Sequence, residues 1–340
     1  MTFSQALLDW YDREGRVLPF RGTKDPYRVW LSEIMLQQTR TESVGAYYAR
    51  FLERFPDVRA LAAADEQDVL TVWQGLGYYS RARNLLRAAR IVVDRYGGSL
   101  PADVKLLRSL PGIGDYTAAA IASIAFSLPE PAMDGNLNRV FARVTDLRED
   151  ISLPHARRAL RQAALDRMEK SRPGDLNQAL MDLGATVCVP GTPDCARCPI
   201  RRFCLSHKNG TAEDLPVMPQ RTPQRTVDLN VILVIWDGRV YMVPRRETLL
   251  KGMYVFLLSE DGPARAMSRL GLSAPAITES GRARHVFTHL IWQMRIYMAR
   301  VPDVPEKLRD RFYTLEQMRS LPLPTAMRAA EALAEKELTK

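Results

Sequence analysis

The sequence predicts an all-α domain over residues 1–204 and a smaller α/β domain over residues 227–340, joined by a linker at 205–226. Helical patterns and turn signals fill the first two-thirds of the chain, with no strand pattern before Val227. Residues 231–243 then carry the pattern of a β-hairpin. A chain of 340 residues is long enough to form two hydrophobic cores, one for each domain.

The composition is that of an ordinary globular protein, with 46% hydrophobic and 26% charged residues. The formal net charge of +9 suits a polyanionic partner. No apolar run approaches the ~18 residues of a membrane span, and the N-terminus is acidic and amphipathic, unlike a signal peptide. We therefore expect no membrane partner and a cytoplasmic, reducing setting, where cysteines act as metal ligands rather than disulfides.

Apolar periodicity predicts a helix over residues 1–16 and a second, mostly buried helix over residues 27–40. Glu33 lies within the apolar part of the second helix. A glutamate in such a position is either a helix-surface residue or a buried acid with a raised pKa. The sequence leaves both interpretations open.

A glycine-rich aromatic turn, Trp73–Tyr79, precedes a basic helix that starts at Ser80. An exposed Tyr78 beside Arg81 and Arg83 would be able to stack on bases or wedge between them. The alternative is a core tyrosine next to a solvated basic helix face.

The segment Leu110–Gly114 predicts a tight hairpin between a helix that begins at Pro101 and another that begins at Asp115. Gly112 and Gly114 permit backbone angles that other residues resist. Bare N–H groups at the second helix would bind an anion such as a phosphate. An ordinary helix–loop–helix corner is the alternative.

Asp134 lies in a glycine-containing turn, Met133–Asn136, at the start of another predicted helix. An aspartate there is usually an N-cap, and the helix N-terminus favours its ionised form. A fixed carboxylate beside a phosphate-binding hairpin suits a reaction that passes through a cationic sugar.

All four cysteines of the chain lie within one short segment, with the spacing C-x6-C-x2-C-x5-C: Cys188, Cys195, Cys198 and Cys204. Four thiolates in one loop predict a tetrathiolate metal site. Zinc ribbons usually carry two C-x2-C pairs, so a single pair favours an iron–sulfur cluster. Four free buried cysteines are the alternative.

The predicted α/β domain begins with a hairpin of residues 231–236 and 240–243 around the turn Asp237-Gly238. Alternation predicts further strands at Arg284–Trp292 and Met294–Ala299, and a closing helix at Thr325–Leu338.

Six features occur together and in the same order as in adenine DNA glycosylases of the MutY type: VWLSEIMLQQT, WQGLGYYSRARN, LPGIGDYTAAAI, MDGNLNRV, NQALMDLGA and the cysteine spacing. The chain resembles that family over nearly its whole length. The resemblance implies a helix-hairpin-helix domain with a 4Fe-4S cluster at residues 188–204, followed by a Nudix-like, MutT-like domain. It also implies a monomer that removes adenine mispaired with 8-oxoguanine or guanine in double-stranded DNA, in base-excision repair.

The resemblance further implies roles for individual residues. Glu33 matches the general acid that protonates the leaving adenine, and Asp134 matches the carboxylate that stabilises the cationic sugar. Tyr116 and Asn136 match the residues that orient these two acids. One neutral and one ionised carboxylate is the division of labour that glycoside hydrolysis requires.

The residues implied to bind DNA fall into four groups. Phe20, Arg21 and Gln178 match the adenine pocket, Gln38 and Tyr78 the groups inserted into the helix, Gly112 and Gly114 the phosphate-binding hairpin, and Phe287, Thr288 and His289 the loop that reads oxidised guanine.

Four departures or branch differences refine the resemblance. Tyr116 stands where the related endonuclease III branch has a lysine, and tyrosine forms no Schiff base, so we expect a monofunctional enzyme without lyase activity. Phe20 replaces a common tryptophan, and Thr288 replaces a common serine. The C-terminal domain lacks the catalytic Nudix box, which leaves it a recognition role. The rival hypotheses are a lyase or thymine-type glycosylase and a non-catalytic iron–sulfur DNA-binding protein.

Overall fold

A computed structural model describes residues 1–219, 224–287 and 289–339. The chain divides into two compact units, Met1–Pro219 and Gln220–Lys340. Throughout the described ranges, the first unit contains helices and loops, and the strands lie in the second unit. None of the helices in these ranges is long and apolar enough to cross a membrane.

The first unit is built from helices connected by short loops. In chain order they are α1 (Phe3–Glu14), α2 (Pro26–Leu36), α3 (Thr41–Arg54), α4 (Val58–Ala62), α5 (Glu66–Trp73), α6 (Ser80–Tyr96), α7 (Val104–Arg108), α8 (Asp115–Phe126), α9 (Gly135–Val144), α10 (Pro154–Leu165), α11 (Pro173–Thr186) and α12 (Leu205–Asn209), with a 3-10 turn at Arg201–Phe203.

Two helix boundaries differ from the sequence prediction for local reasons. The helix predicted from Pro101 begins at Val104, because the side chain of Asp103 accepts a hydrogen bond from the Leu106 N–H and caps it there. The helix predicted to run to residue 40 ends at Leu36, because Gln38 has a φ of +56°.

The first unit contains two hydrophobic clusters. One includes Trp30, Phe51 and Trp73 and draws on α2 to α8. The other includes Phe141 and Leu180 and draws on α1, α9, α10 and α11. These helices supply the side chains of the cavity described below.

The segment predicted as a linker, 205–226, is partly ordered against the first unit. It starts with α12, and Leu215 is buried with its carbonyl accepting a hydrogen bond from Arg143 Nε at 3.0 Å. The Val217 carbonyl accepts from the Ile151 N–H at 3.1 Å. Packing of these apolar residues therefore extends the first unit beyond the predicted boundary.

The second unit is a mixed sheet with helices on both faces. Its elements are β1 (Arg225–Trp236), β2 (Arg239–Tyr241), β3 (Val243–Pro244), β4 (Tyr254–Val255), β5 (Leu257–Ser259), α13 (Pro263–Arg269), β6 (Ile277–Val286), β7 (Leu290–Arg300), β8 (Phe312–Tyr313), α14 (Leu315–Ser320) and α15 (Arg328–Leu338), with 3-10 turns at Glu306–Arg311 and Thr325–Met327.

The strand order of the main sheet is β6-β7-β1-β2-β8, and β5 also pairs with β1. Strands β1 and β7 are parallel, whereas the other pairs in this sheet are antiparallel. Side chains of α15 and α13 belong to different hydrophobic clusters that share β1, so they cover opposite faces.

The predicted β1–β2 hairpin is present, with Asp237 and Gly238 both at positive φ in its two-residue turn. The later strand bounds were predicted wrongly. The prediction runs one strand from residue 284 to 292, but the Phe287 N–H donates to the Leu290 carbonyl at 2.7 Å and closes a turn there. Strand β6 therefore ends at Val286, and β7 begins at Leu290.

Candidate active site

A cavity of about 220 Å³ in the first unit brings the predicted acids together. Its lining includes every residue predicted for the acids, their orienting partners and the adenine pocket: Phe20, Arg21, Glu33, Tyr116, Asp134, Asn136 and Gln178. These residues come from α2, α8, α11, the start of α9 and the loop after α1.

Glu33 lies in the cavity with only 6% of its surface exposed. The Tyr116 hydroxyl donates a hydrogen bond of 2.7 Å to its Oε2. Burial raises the pKa of Glu33 to about 7, against the opposing effects of the Tyr116 hydrogen bond and the Arg21 charge. Of the two interpretations left open by the sequence, the structure selects the buried acid.

Asp134 caps the N-terminus of α9, as its place in the sequence predicts. Its Oδ1 accepts from the Leu137 N–H at 2.7 Å, and its Oδ2 accepts from Asn136 Nδ2 at 2.9 Å. Burial raises the pKa of Asp134, while the hydrogen bonds from Leu137 and Asn136 act to lower it. The helix-start argument anticipates these donors but not the burial that opposes them.

Asp182 contacts Arg21 of the cavity lining, and the sequence analysis did not single it out. It forms ion pairs with Arg21 through both oxygens, at 2.7 and 2.8 Å, and also accepts from Arg16 Nε at 2.7 Å. It lies four residues after Gln178 on α11, a spacing that places both on one helix face. That spacing is the signal by which it was detectable.

The glycine hairpin Leu110–Gly114 joins α7 and α8, as predicted. Gly112 has a φ of +80°, and a Cβ there would lie 2.9 Å from Asn84 Cβ, so only glycine fits. Gly114 has a φ of −91° with open space around it, which corrects the expectation that both glycines adopt unusual angles.

Gln38 and Tyr78 lie on two loops outside the cavity lining, and both side chains are exposed, Tyr78 by 59%. Both backbones are left-handed, with φ of +56° and +48°. Arg81, which follows closely, is buried rather than part of a solvated face.

The four cysteines line a single cavity next to α9 and the end of α11. Burial, together with the charges of the other three cysteines, raises the pKa of Cys198 to about 12. These thiols are therefore close enough to repel one another as thiolates, a repulsion that bound cationic iron would relieve. Four thiols that line one cavity are the donor set of an all-thiolate iron–sulfur cluster. Among the described residues, no group of three or more His, Cys, Asp or Glu is arranged to hold a single metal ion.

Phe287 and His289 lie at the turn between β6 and β7, whereas Thr288 lies outside the described residues. The Phe287 ring packs against His285 and Trp292, with centroid distances of 4.6 and 4.9 Å. This aromatic cluster fixes the base of the turn.

Each of the two units matches a known protein family. Residues 31–164 match the HhH-GPD superfamily of base excision DNA repair proteins, and residues 230–332 match the NUDIX domain. The chain belongs to this base excision repair superfamily. The predicted fold class and the resemblance to the MutY type are confirmed.

Three relatives share the name adenine DNA glycosylase. The mouse protein is 41% identical over 238 residues, which cover 67% of this chain and 46% of that protein. The human protein is 42% identical, covering 63% of this chain and 41% of that protein. The chain thus spans less than half the length of these relatives. The protein of Buchnera aphidicola from Acyrthosiphon pisum is 28% identical, covering 95% and 94%.

Solved structures support the same fold. A thermostable thymine-DNA glycosylase has 28% identity and a TM-score of 0.56, covering 61% of this chain and 95% of that one. A trapped covalent intermediate of endonuclease III with DNA has 21% identity and a TM-score of 0.50, covering 62% and 99%. The second likeness bears on fold alone.

Proposed function

We propose that the protein is a monofunctional adenine DNA glycosylase, which hydrolyses the N-glycosidic bond of adenine mispaired with 8-oxoguanine or guanine in double-stranded DNA. The observation that carries this proposal is that Glu33 and Asp134 line one cavity, where burial raises both pKa values and hydrogen-bond donors oppose that rise at Asp134. The shared name of the mammalian relatives supports adenine as the base.

Glu33 acts as the general acid in this proposal. A pKa of about 7 leaves a substantial fraction protonated at neutral pH, which suits proton donation to N7 of the leaving adenine. Once the base has left, the carboxylate of Glu33 accepts a proton from the attacking water. The Tyr116 hydroxyl holds the carboxyl in place for both steps.

Asp134 stabilises the positive charge that develops on the sugar. Its ionised form is favoured by the Leu137 N–H and the Asn136 amide, which both donate to it. Because these donors also fix its oxygens, the carboxylate needs little reorganisation as the glycosidic bond breaks.

The target adenine must leave the base stack before it reaches this cavity. Gln38 and Tyr78 are exposed and would fill the vacated space in the helix. Phe20, Arg21 and Gln178 would then contact the extruded base in the cavity. The hairpin N–H groups at Gly112 and Gly114 would hold the DNA backbone.

The cavity lining supports hydrolysis rather than lyase chemistry. No lysine occurs among the described lining residues. Tyr116 has a hydroxyl that is already committed to Glu33, and a phenol forms no Schiff base. Strand cleavage should therefore require added alkali or heat.

Cys188, Cys195, Cys198 and Cys204 would hold a 4Fe-4S cluster, which when bound would cross-link the loop. Arg201 and Arg202 are exposed on this loop and suited to phosphate contact. The turn at Phe287, Thr288 and His289 would read the oxidised guanine. Since one chain carries both acids, we propose a monomer, acting in the cytoplasm on nucleoid DNA.

Single-turnover cleavage of three duplexes tests the proposal. The 8-oxoguanine:A and G:A duplexes should lose adenine, whereas T:G should stay intact, which also tests for the thymine specificity that the name of one structural neighbour states. Glu33→Gln and Asp134→Asn serve as controls in which adenine release should be strongly slowed. Thymine release, or adenine release unaffected by both substitutions, would overturn the assignment.

A further inference from the structure

Arg81 is a buried arginine that the proposed reaction does not use. It lies in the first turn of α6 with 7% of its surface exposed. Two loops meet at its guanidinium group. One follows α2 and carries Gln38, and the other follows α5 and carries Tyr78.

The guanidinium group donates to acceptors on both loops. Nη1 donates to the carbonyls of Ile34 (3.0 Å), Met35 (2.9 Å) and Gln37, while Nη2 donates to Thr39 Oγ1 (3.1 Å) and the carbonyls of Leu76 (3.0 Å) and Gly77 (3.3 Å). The Nη1 contacts satisfy carbonyls at the C-terminus of α2, where a cation is favourable. One planar group thus joins the two loops.

Within the described part of the chain, no carboxylate forms a salt bridge with Arg81. Its described partners are carbonyls and one hydroxyl, and the rings of Trp73 and Tyr78 each lie 5.5 Å from its Cζ. Burial lowers the pKa of Arg81 to about 10, so the side chain stays cationic at neutral pH. Because Arg81 is a buried cation, it keeps several carbonyl groups oriented towards its guanidinium group.

The contacts bracket the two residues with unusual backbones. Gln38, between the bonded residues Gln37 and Thr39, has a φ of +56°, and Tyr78, directly after Gly77, has a φ of +48°. Residues other than glycine rarely adopt this region, and they keep it only where the surroundings impose it. Here those surroundings include the guanidinium group of Arg81, which donates hydrogen bonds to both loops.

We propose that Arg81 is a positioning residue that holds the two loops as one rigid unit, so that Gln38 and Tyr78 enter the DNA together when the base is extruded. This inference rests on the proposed function. A lysine keeps the charge but not the planar fork, so it bonds fewer of these acceptors at once.

A double-mutant cycle tests the proposal. Gln38→Ala, Tyr78→Ala and the double variant are compared by single-turnover adenine excision, first with Arg81 present and then in Arg81→Met. With Arg81, the double variant should lose about tenfold less than the product of the two single losses. In Arg81→Met and Arg81→Lys the losses should multiply. Coupling that persists in both variants would overturn the proposal, because a merely structural role lowers Tm without removing coupling.

Amide hydrogen exchange of the free protein supplies a readout without DNA. Arg81→Met should raise exchange about tenfold at residues 37–40 and 76–79 together. Arg95→Met is the matched control, an exposed arginine about 21 Å along the same helix, and should change neither loop. Arg81→Lys replaces Arg81→Met if the latter does not fold. Unchanged exchange at either loop rejects the rigid unit. If Arg81→Met raises exchange at both loops but the unsubstituted protein excises no adenine, the rigid unit stands and the proposed function is rejected.

Discussion

Glu33 and Asp134 face the same cavity from two different kinds of helix position. Glu33 lies within α2, where the helix itself leaves no free donors, and its hydrogen bond comes from Tyr116 on α8. Asp134 lies at the start of α9, where the Leu137 N–H and the neighbouring Asn136 amide donate to it. Burial raises both pKa values, but the donors at a helix start oppose it locally. The cavity thus holds one buried acid within a helix and a second acid whose hydrogen-bond donors at a helix start favour its charged form.

The largest expected effect is on activity in Glu33→Gln. Removing the proton donor should slow adenine excision by roughly 10³-fold, within the range for general acid catalysis. The fall in rate as pH rises through about 7 should disappear, because the titrating group is gone. Single-turnover rates from pH 5.5 to 8.5 measure both, and DNA binding by filter retention is the control. A residual pH dependence at pH 7 would assign the acid elsewhere.

Asp134→Asn should slow excision by about 10²- to 10³-fold, because the developing sugar charge loses its counter-charge. Unlike Glu33→Gln, this variant should keep the fall in rate as pH rises, which is the falling limb of the pH profile. The limb should move to lower pH, because the Asp134 charge raises the pKa of Glu33. A limb that moves upward would show that the two carboxylates do not interact in this way.

Stability should depend on pH through Glu33. Its pKa is about 7 in the folded protein and near 4.5 unfolded, so the unfolded state loses its proton first as pH rises. The free energy of unfolding should therefore fall by about 3 kcal/mol between pH 4.5 and 7 and level off above pH 7. Urea unfolding at several pH values measures this.

Glu33→Gln supplies the control for that titration. The glutamine variant lacks the titrating group, so its unfolding free energy should change less over the same interval. Equal pH dependence in the two proteins would mean that Glu33 is not buried as a neutral acid. A comparison at pH 8, where the penalty is complete, should find the variant the more stable of the two.

The smallest expected effect is a shift of the pH profile in Tyr116→Phe. The Tyr116 hydroxyl stabilises the charged form of Glu33, so its removal should raise the pKa of Glu33. The falling limb of the rate should move up by about one pH unit. Tyr11→Phe is the matched control, because its hydroxyl donates to Gln178 rather than to an acid. If the rate falls at the same pH in the unsubstituted protein, Tyr116→Phe and Tyr11→Phe, the role given to this hydrogen bond is contradicted.

The sequence determined those features that depend on residues close together in the chain. The Asp134 cap, the hairpin around Gly112 and the turn at Asp237-Gly238 each follow from local backbone rules. The order of the motifs also sufficed for the fold class and the family. Periodicity was weaker at boundaries, where Asp103 began a helix and Phe287 closed the turn after a strand through contacts that periodicity does not encode.

Only the tertiary structure decided the state of Glu33, the ion pair of Asp182 with Arg21 and the burial of Arg81. The hydroxyl that contacts Glu33 belongs to a residue 83 positions away, and the Arg21–Asp182 pair spans 161 positions. Burial and such partners depend on which helices pack together, and that packing fixes the pKa of a carboxyl more strongly than its immediate neighbours do.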